Sequence, residues 1–160
     1  MQGDPKVIDY LNQALTNELT AVNQYWLHYR LLNHWGVKKL AAFDRHESID
    51  EMKHADRLAD RILVLDGLPN FQAIGRLKIG ESVEEILRAD LALEMEAIPL
   101  LKDAIAHSES VRDFVSRELF ADILANEEEH VDTLETQFEM IARMGLENYI
   151  QLQSKAAEAS

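Results

Sequence analysis

Two short stretches of this 160-residue chain repeat one arrangement of metal-binding side chains, Glu51-Met52-Lys53-His54 and Glu127-Glu128-Glu129-His130. Residues three apart on a helix project from one face, so each stretch offers a carboxylate oxygen and an imidazole nitrogen toward the same point. In a chain with 29 Asp plus Glu the spacing alone is weak. Position strengthens it. Glu18 precedes Glu51 by 33 residues, Glu94 precedes Glu127 by the same step, and the second pair lies 76 residues beyond the first. The local text agrees, since Glu-x-x-His-x-Asp-x-Leu occurs at both 51–58 and 127–134. Glu18, Glu51, His54, Glu94, Glu127 and His130 form the set with which helical bundles hold two divalent metals. Four carboxylates neutralise two Fe(II) ions, whereas burying them without a cation costs several kcal/mol or forces their protonation. Oxygen and imidazole donors suit iron or manganese, with zinc as a competitor.

Such a site needs four helices that bring these residues to one level. Asp4 reads as an N-cap with Pro5 at the first helical position, and Ile8, Leu11, Leu15, Leu19, Val22 and Trp26 then recur at helical spacing, giving a first helix over about 5–34. Gly36 stops it. A second helix runs through Leu40, Phe43, Ile62 and Leu65 until Gly67 and Pro69. Ser82 to Glu85 spells a capping box that opens a third helix, in which Pro99 should bend the chain without ending it. Ser110 to Asp113 offers a similar start for a fourth helix, ending near Gly145, and Leu146, Tyr149 and Ile150 suggest a short fifth. The first and last pairs are joined by a few residues and should form antiparallel hairpins. Residues 67–81 span about 50 Å at ~3.4 Å per residue, enough to run the length of a 30-residue helix of about 45 Å. The expectation is an all-α, ferritin-like four-helix bundle with one long crossover and a short C-terminal fifth helix, as a single domain over 1–160.

Composition narrows the chemistry. A net charge of −13 repels phosphate backbones and anionic membranes, so neither nucleic acid nor membrane is expected as a partner and cations are favoured. With no cysteine, disulfides, thiolate zinc sites and iron–sulfur ligation are excluded. The first residues lack the apolar core of a signal peptide and no run approaches the roughly 18 apolar residues of a membrane span, so the expected location is cytoplasmic.

The stretch His46-Glu47-Ser48-Ile49-Asp50-Glu51-Met52-Lys53-His54-Ala55-Asp56, with the rest of the chain around it, resembles the bacterioferritins. The resemblance implies iron storage and detoxification by a hollow homo-oligomer of 24 subunits built from two-fold dimers. Each subunit would oxidise Fe(II) with oxygen or peroxide at an intrasubunit diiron centre and pass ferric mineral to the cavity. It assigns the six residues above as the dinuclear ligands, with Glu51 and Glu127 between the two irons, and it implies a small ferredoxin as electron donor. It places Tyr25 beside the diiron centre, and His46 with Asp50 at an additional iron site on the inner surface.

Met52 separates this family from other ferritins. It follows Glu51 by about 100° around the helix, so an inward Glu51 turns Met52 outward. The resemblance makes Met52 an axial ligand of a haem b shared between two subunits, with Leu19, Asn23, Trp26 and Ile49 lining the pocket. Two methionine ligands fill both axial positions and favour electron transfer over oxygen binding. Arg45 and Trp26 depart from the Tyr, and the Phe or Tyr, expected at those positions. His28, His34 and His107 belong to no motif, and surface positions are expected for them. Three rival readings are less well supported. A rubrerythrin-like peroxidase is disfavoured by the lack of a cysteine-rich iron tail, and a DNA-protecting mini-ferritin by the acidic balance and the complete ligand set within one chain. A metal-free bundle is disfavoured by the cost of burying four carboxylates.

Overall fold

The structure is a computed structural model that describes residues 1–155; the last five residues of the expected domain, 156–160, lie outside the described residues. Five helices follow in order: α1 (Pro5–His34), α2 (Lys38–Val64), α3 (Val83–Ser110), α4 (Phe114–Met144) and α5 (Leu146–Gln153). The Asp4 carboxylate accepts from the N–H groups of Lys6 and Val7, which satisfies orphan donors of the first turn, and Pro5 has no N–H to satisfy. After α1 the chain reverses through Gly36 at φ 84°, a left-handed conformation that suits glycine. Ser82 caps α3 by accepting from Glu85 N–H, and α3 runs through Pro99 to Ser110.

One boundary differs from expectation. Ser110 is the last residue of α3, and its hydroxyl donates back to the His107 carbonyl. The cap of α4 is Asp113, which accepts from Ser116 N–H at 2.9 Å and is held in place by Arg61 at 2.8 Å. A carboxylate fixed by a guanidinium on α2 is the stronger cap, which explains the choice.

α1 packs chiefly on α2 and α3 on α4, while α1 against α3 and α2 against α4 close the bundle. The apolar core falls into two blocks. One joins Val7, Leu11 and Leu15 to Leu58, Ile62, Leu101, Phe120 and Ile123, and the other joins Leu32, Val37 and Leu40 to Ile86, Leu87, Leu134 and Tyr149. Leu15 shares a block with Leu101 and Leu32 shares one with Ile86, so α3 runs antiparallel to α1. Between the blocks lies a layer of buried ionisable residues, among them Glu18, Glu51, Glu94 and Glu127.

The crossover from α2 to α3 carries no regular structure, and α1 organises it through a file of polar side chains. Asn12 donates to the Leu68 carbonyl and accepts from Asn70 N–H. Thr20 Oγ1 accepts from Gly75 N–H at 2.8 Å, Gln24 Oε1 from Lys78 N–H at 2.9 Å, and His28 Nε2 from Gly80 N–H at 3.1 Å. The acceptors at 20, 24 and 28 stand one turn apart, so backbone donors that would otherwise lack partners are met in sequence. Gly80 has a further reason to lack a side chain, because a Cβ there would collide with the backbone of Ile86. Among the described residues no helix is long and apolar enough to cross a membrane.

Candidate dinuclear metal centre

The six residues picked out by spacing meet in the middle of the bundle. Glu18 comes from α1, Glu51 and His54 from α2, Glu94 from α3, and Glu127 and His130 from α4, none of them more than 9% exposed. Their ligand atoms form two adjoining groups, Glu18–Glu51–His54–Glu127 and Glu51–Glu94–Glu127–His130, with the atoms of each group within 4.8 Å of one another. Glu51 and Glu127 belong to both. His54 Nδ1 lies 3.5 Å from Glu18 Oε2, 3.9 Å from Glu51 Oε2 and 3.5 Å from Glu127 Oε1. His130 Nδ1 lies 3.2 Å from Glu51 Oε1, 3.4 Å from Glu94 Oε1 and 3.5 Å from Glu127 Oε2.

The donor atoms fit a pair of cations. Glu18 Oε2, Glu51 Oε1, His54 Nδ1, both Glu127 oxygens and His130 Nδ1 are buried without a hydrogen-bond partner. Unpaired polar atoms in a core cost free energy, and six converging on two points are explained together by two positive ions. The titration properties tell the same story. Burial, followed by the charges of Glu51 and Glu127, pushes Glu18 well above the usual carboxylate range. Burial alone would raise Glu51, but the adjoining Glu18 carboxyl and the His130 and His54 rings outweigh it and hold Glu51 low. Burial alone would lower His54 and His130, yet the surrounding carboxylates, Glu127 foremost, push each up to about 12. Without a metal ion, protons supply the positive charge this layer requires.

Tyr25 is fully buried and donates its hydroxyl to Glu94 Oε1 at 2.6 Å, so it touches a ligand directly. Burial, with the charges of Asp90 and Glu51 behind it, raises its pKa well above the ordinary tyrosine value. The other residues named from sequence lie farther out. His46 is largely exposed and pairs with Asp50 at 3.2 Å. Asp50 also groups with Glu47 and His130 as a potential metal-holding set, which His46 does not join. Met52 is 43% exposed and Trp26 42%, on the outer side of the bundle with exposed Asn23 and partly buried Ile49. Leu19 differs, being 8% exposed within the core block that contains Leu15. Arg45 stacks over Trp26 at 5.7 Å.

Two features escaped the sequence reading. Glu47 is buried and its Oε2 meets His130 Nε2, so it orients a ligand from behind. It stands one turn before Glu51 on the inward face of α2, a spacing that would have found it. The second feature corrects the expectation for His28, which is fully buried. Gly80 N–H donates to its Nε2, so the ring hydrogen sits on Nδ1, which donates to Asp90 Oδ1 at 2.8 Å. Gln24 Nε2 donates to the same oxygen at 3.0 Å. Burial, with the charge of Asp90 behind it, pushes Asp44 well above the usual carboxylate range. Both nitrogens of His28 are occupied, so His28, Asp44 and Asp90 offer a metal no free nitrogen. His107 is also drawn inward and meets the Asp4 carboxylate at 2.9 Å.

Comparison with known proteins shows the family to which the chain belongs. Residues 8–144 match the family described as Ferritin-like domain. The chain is 50% identical over 158 residues to the bacterioferritin of Brucella melitensis biotype 1, covering 99% of this chain and 98% of that one. It is 50% identical over 149 residues to the bacterioferritin of Mycobacterium bovis (93% and 94%) and 50% identical over 150 residues to that of Streptomyces coelicolor (94% and 90%).

Proposed function

The chain belongs to the bacterioferritins, an iron-storage family, and from that premise we propose that it is a ferroxidase that oxidises Fe(II) at the six-residue centre and stores the ferric product inside a 24-subunit homo-oligomer. The observation that carries the proposal is the pair of ligand groups sharing Glu51 and Glu127, lined by buried donor atoms without partners. Fe(II) is the substrate: two ions side by side supply two electrons to one molecule of oxygen or peroxide. The protein's own part is to hold and orient. Glu18 with His54 and Glu94 with His130 each define one position, Glu47 fixes the His130 ring, and Tyr25 holds one Glu94 oxygen. A rubrerythrin-like peroxidase would use similar ligands; the overall identity to bacterioferritins favours storage.

A calorimetric titration with Fe(II) under strict exclusion of oxygen tests the site. Two ions per chain are expected. Because His54 and His130 are pushed up to about 12, both rings carry a proton at neutral pH and must lose it to ligate. Binding therefore releases protons, and affinity rises with pH through the neutral range. In buffers of different ionisation enthalpy the apparent heat should vary, corresponding to about two protons per chain, one from each ring. A stoichiometry of one, or heats independent of buffer, would count against the assignment.

The outward patch supports a haem b site shared between two subunits, which the Met52 thioether would hold and Trp26, Asn23 and Ile49 would line. A haem held there would supply electron transfer. Purified protein should show a Soret band that Met52→Leu removes while two Fe(II) per chain still bind. A band unchanged in that variant would reject Met52 as ligand.

A further inference from the structure

A narrow cleft of about 20 Å³ leads from the centre toward the surface. Buried Glu18, Glu51, Glu94 and Glu127 line its inner end, while half-buried Asn17 and Ala97 and largely exposed Glu96 line its outer end. Its volume is about that of a single water, so whatever passes is small and partly dehydrated. Every residue that lines it is acidic or neutral. The crossover brings a positive charge beside its outer end, where the Lys78 ammonium sits 2.8 Å from Glu96 Oε1. Lys78 is not placed there by this ion pair alone, since Gln24 accepts its backbone N–H and is itself tied to Asp90. The crossover thus fixes a positive charge beside the outermost acidic group of a route otherwise suited to cations.

We infer that Lys78 is a positioning residue that sets the rate at which divalent cations reach the dinuclear centre, by neutralising Glu96 at the mouth of this cleft. The inference rests on the ferroxidase reading for its biological use, but not for its physics. A cation approaching an acidic cleft is drawn by the summed potential at the rim, and a fixed ammonium lowers that attraction. Removing one positive charge that acts on a divalent ion across less than a Debye length should accelerate association about threefold at low salt. The barrier inside the cleft and the chemistry at the centre should not change.

The experiment uses the full chain in its native assembly, with Co(II) as an oxygen-insensitive probe followed by stopped-flow absorption, and Fe(II) oxidation measured in parallel. Lys78→Met is expected to raise the Co(II) association rate about threefold at low ionic strength, an advantage that fades at high salt. Lys78→Arg should restore the original rate, and Glu96→Gln, which leaves the ammonium unopposed, should slow association. In Fe(II) oxidation Lys78→Met should lower KM with kcat unchanged. Equal Co(II) rates in all four proteins would overturn the inference, as would a fall in kcat, which would mean that Lys78 supports the centre structurally. If Co(II) rates change as expected while no variant oxidises Fe(II), the ferroxidase reading fails and the gating role stands.

Discussion

Glu127→Ala is expected to abolish the fast oxidation of Fe(II), lowering its rate by at least about 100-fold. Removing a residue that merely supports a metal ligand already costs about 10–100-fold in affinity or activity. Glu127 does more, because it is common to both ligand groups and both its oxygens lack any other partner. Its loss takes one oxygen from each position, so bound Fe(II) should fall below one per chain. Glu94→Ala is the instructive comparison, since Glu94 belongs to one group only, and about one ion per chain should remain. Metal analysis after desalting, with stopped-flow oxidation, reads both outcomes. Far-UV circular dichroism should stay unchanged, because neither substitution touches the two apolar blocks that hold the bundle together. Equal oxidation rates in Glu127→Ala and the parent would reject the shared-ligand geometry.

Asp90→Ala is expected to destabilise the metal-free protein by about 3 kcal/mol, although Asp90 lies outside both ligand groups. Its Oδ1 accepts from His28 and Gln24, and burial, with the charge of Asp90 added, pushes the neighbouring Asp44 well up. All of these groups are fully buried, so none finds water when the carboxylate is removed. The damage should also spread, because His28 and Gln24 are the acceptors for Gly80 and Lys78 of the crossover. Urea unfolding at fixed protein concentration, with metal removed, gives the cost. Asp90→Asn keeps an acceptor oxygen and should lose much less. A cost below about 1 kcal/mol for the alanine variant would show that the crossover does not depend on this buried pair.

The centre was legible in the sequence because coordination demands residue type and helical spacing at once, so Glu-x-x-His written twice, with a glutamate 33 residues before each copy, leaves a trace that packing cannot erase. The helices were legible for similar reasons, down to Asp4 and Ser82 as caps. His28 was not. Its burial depends on a backbone N–H arriving from 52 residues away and on Asp90 from 62 away, and neither partner marks the local text. Glu47 stood in plain view, but in so acidic a chain a glutamate is ordinarily solvated, and only its place on the inward stripe of α2 sets it apart. The start of α4 was misplaced for a comparable reason, because Ser110 and Asp113 both suit a cap and the deciding vote is cast by Arg61 on a different helix.

The polar file on α1 also governs where this chain can change length. A residue inserted in the crossover between Gly75 and Lys78 can bulge into solvent while Thr20 and Gln24 keep their partners, since a loop absorbs an added residue at little entropic cost. A residue inserted in α1 between Thr20 and Gln24 turns everything beyond it by about 100°, releasing Lys78 and Gly80 together and swinging Tyr25 away from Glu94. Related chains of different length should therefore carry their insertions and deletions in the crossover and keep the residue count of α1 fixed.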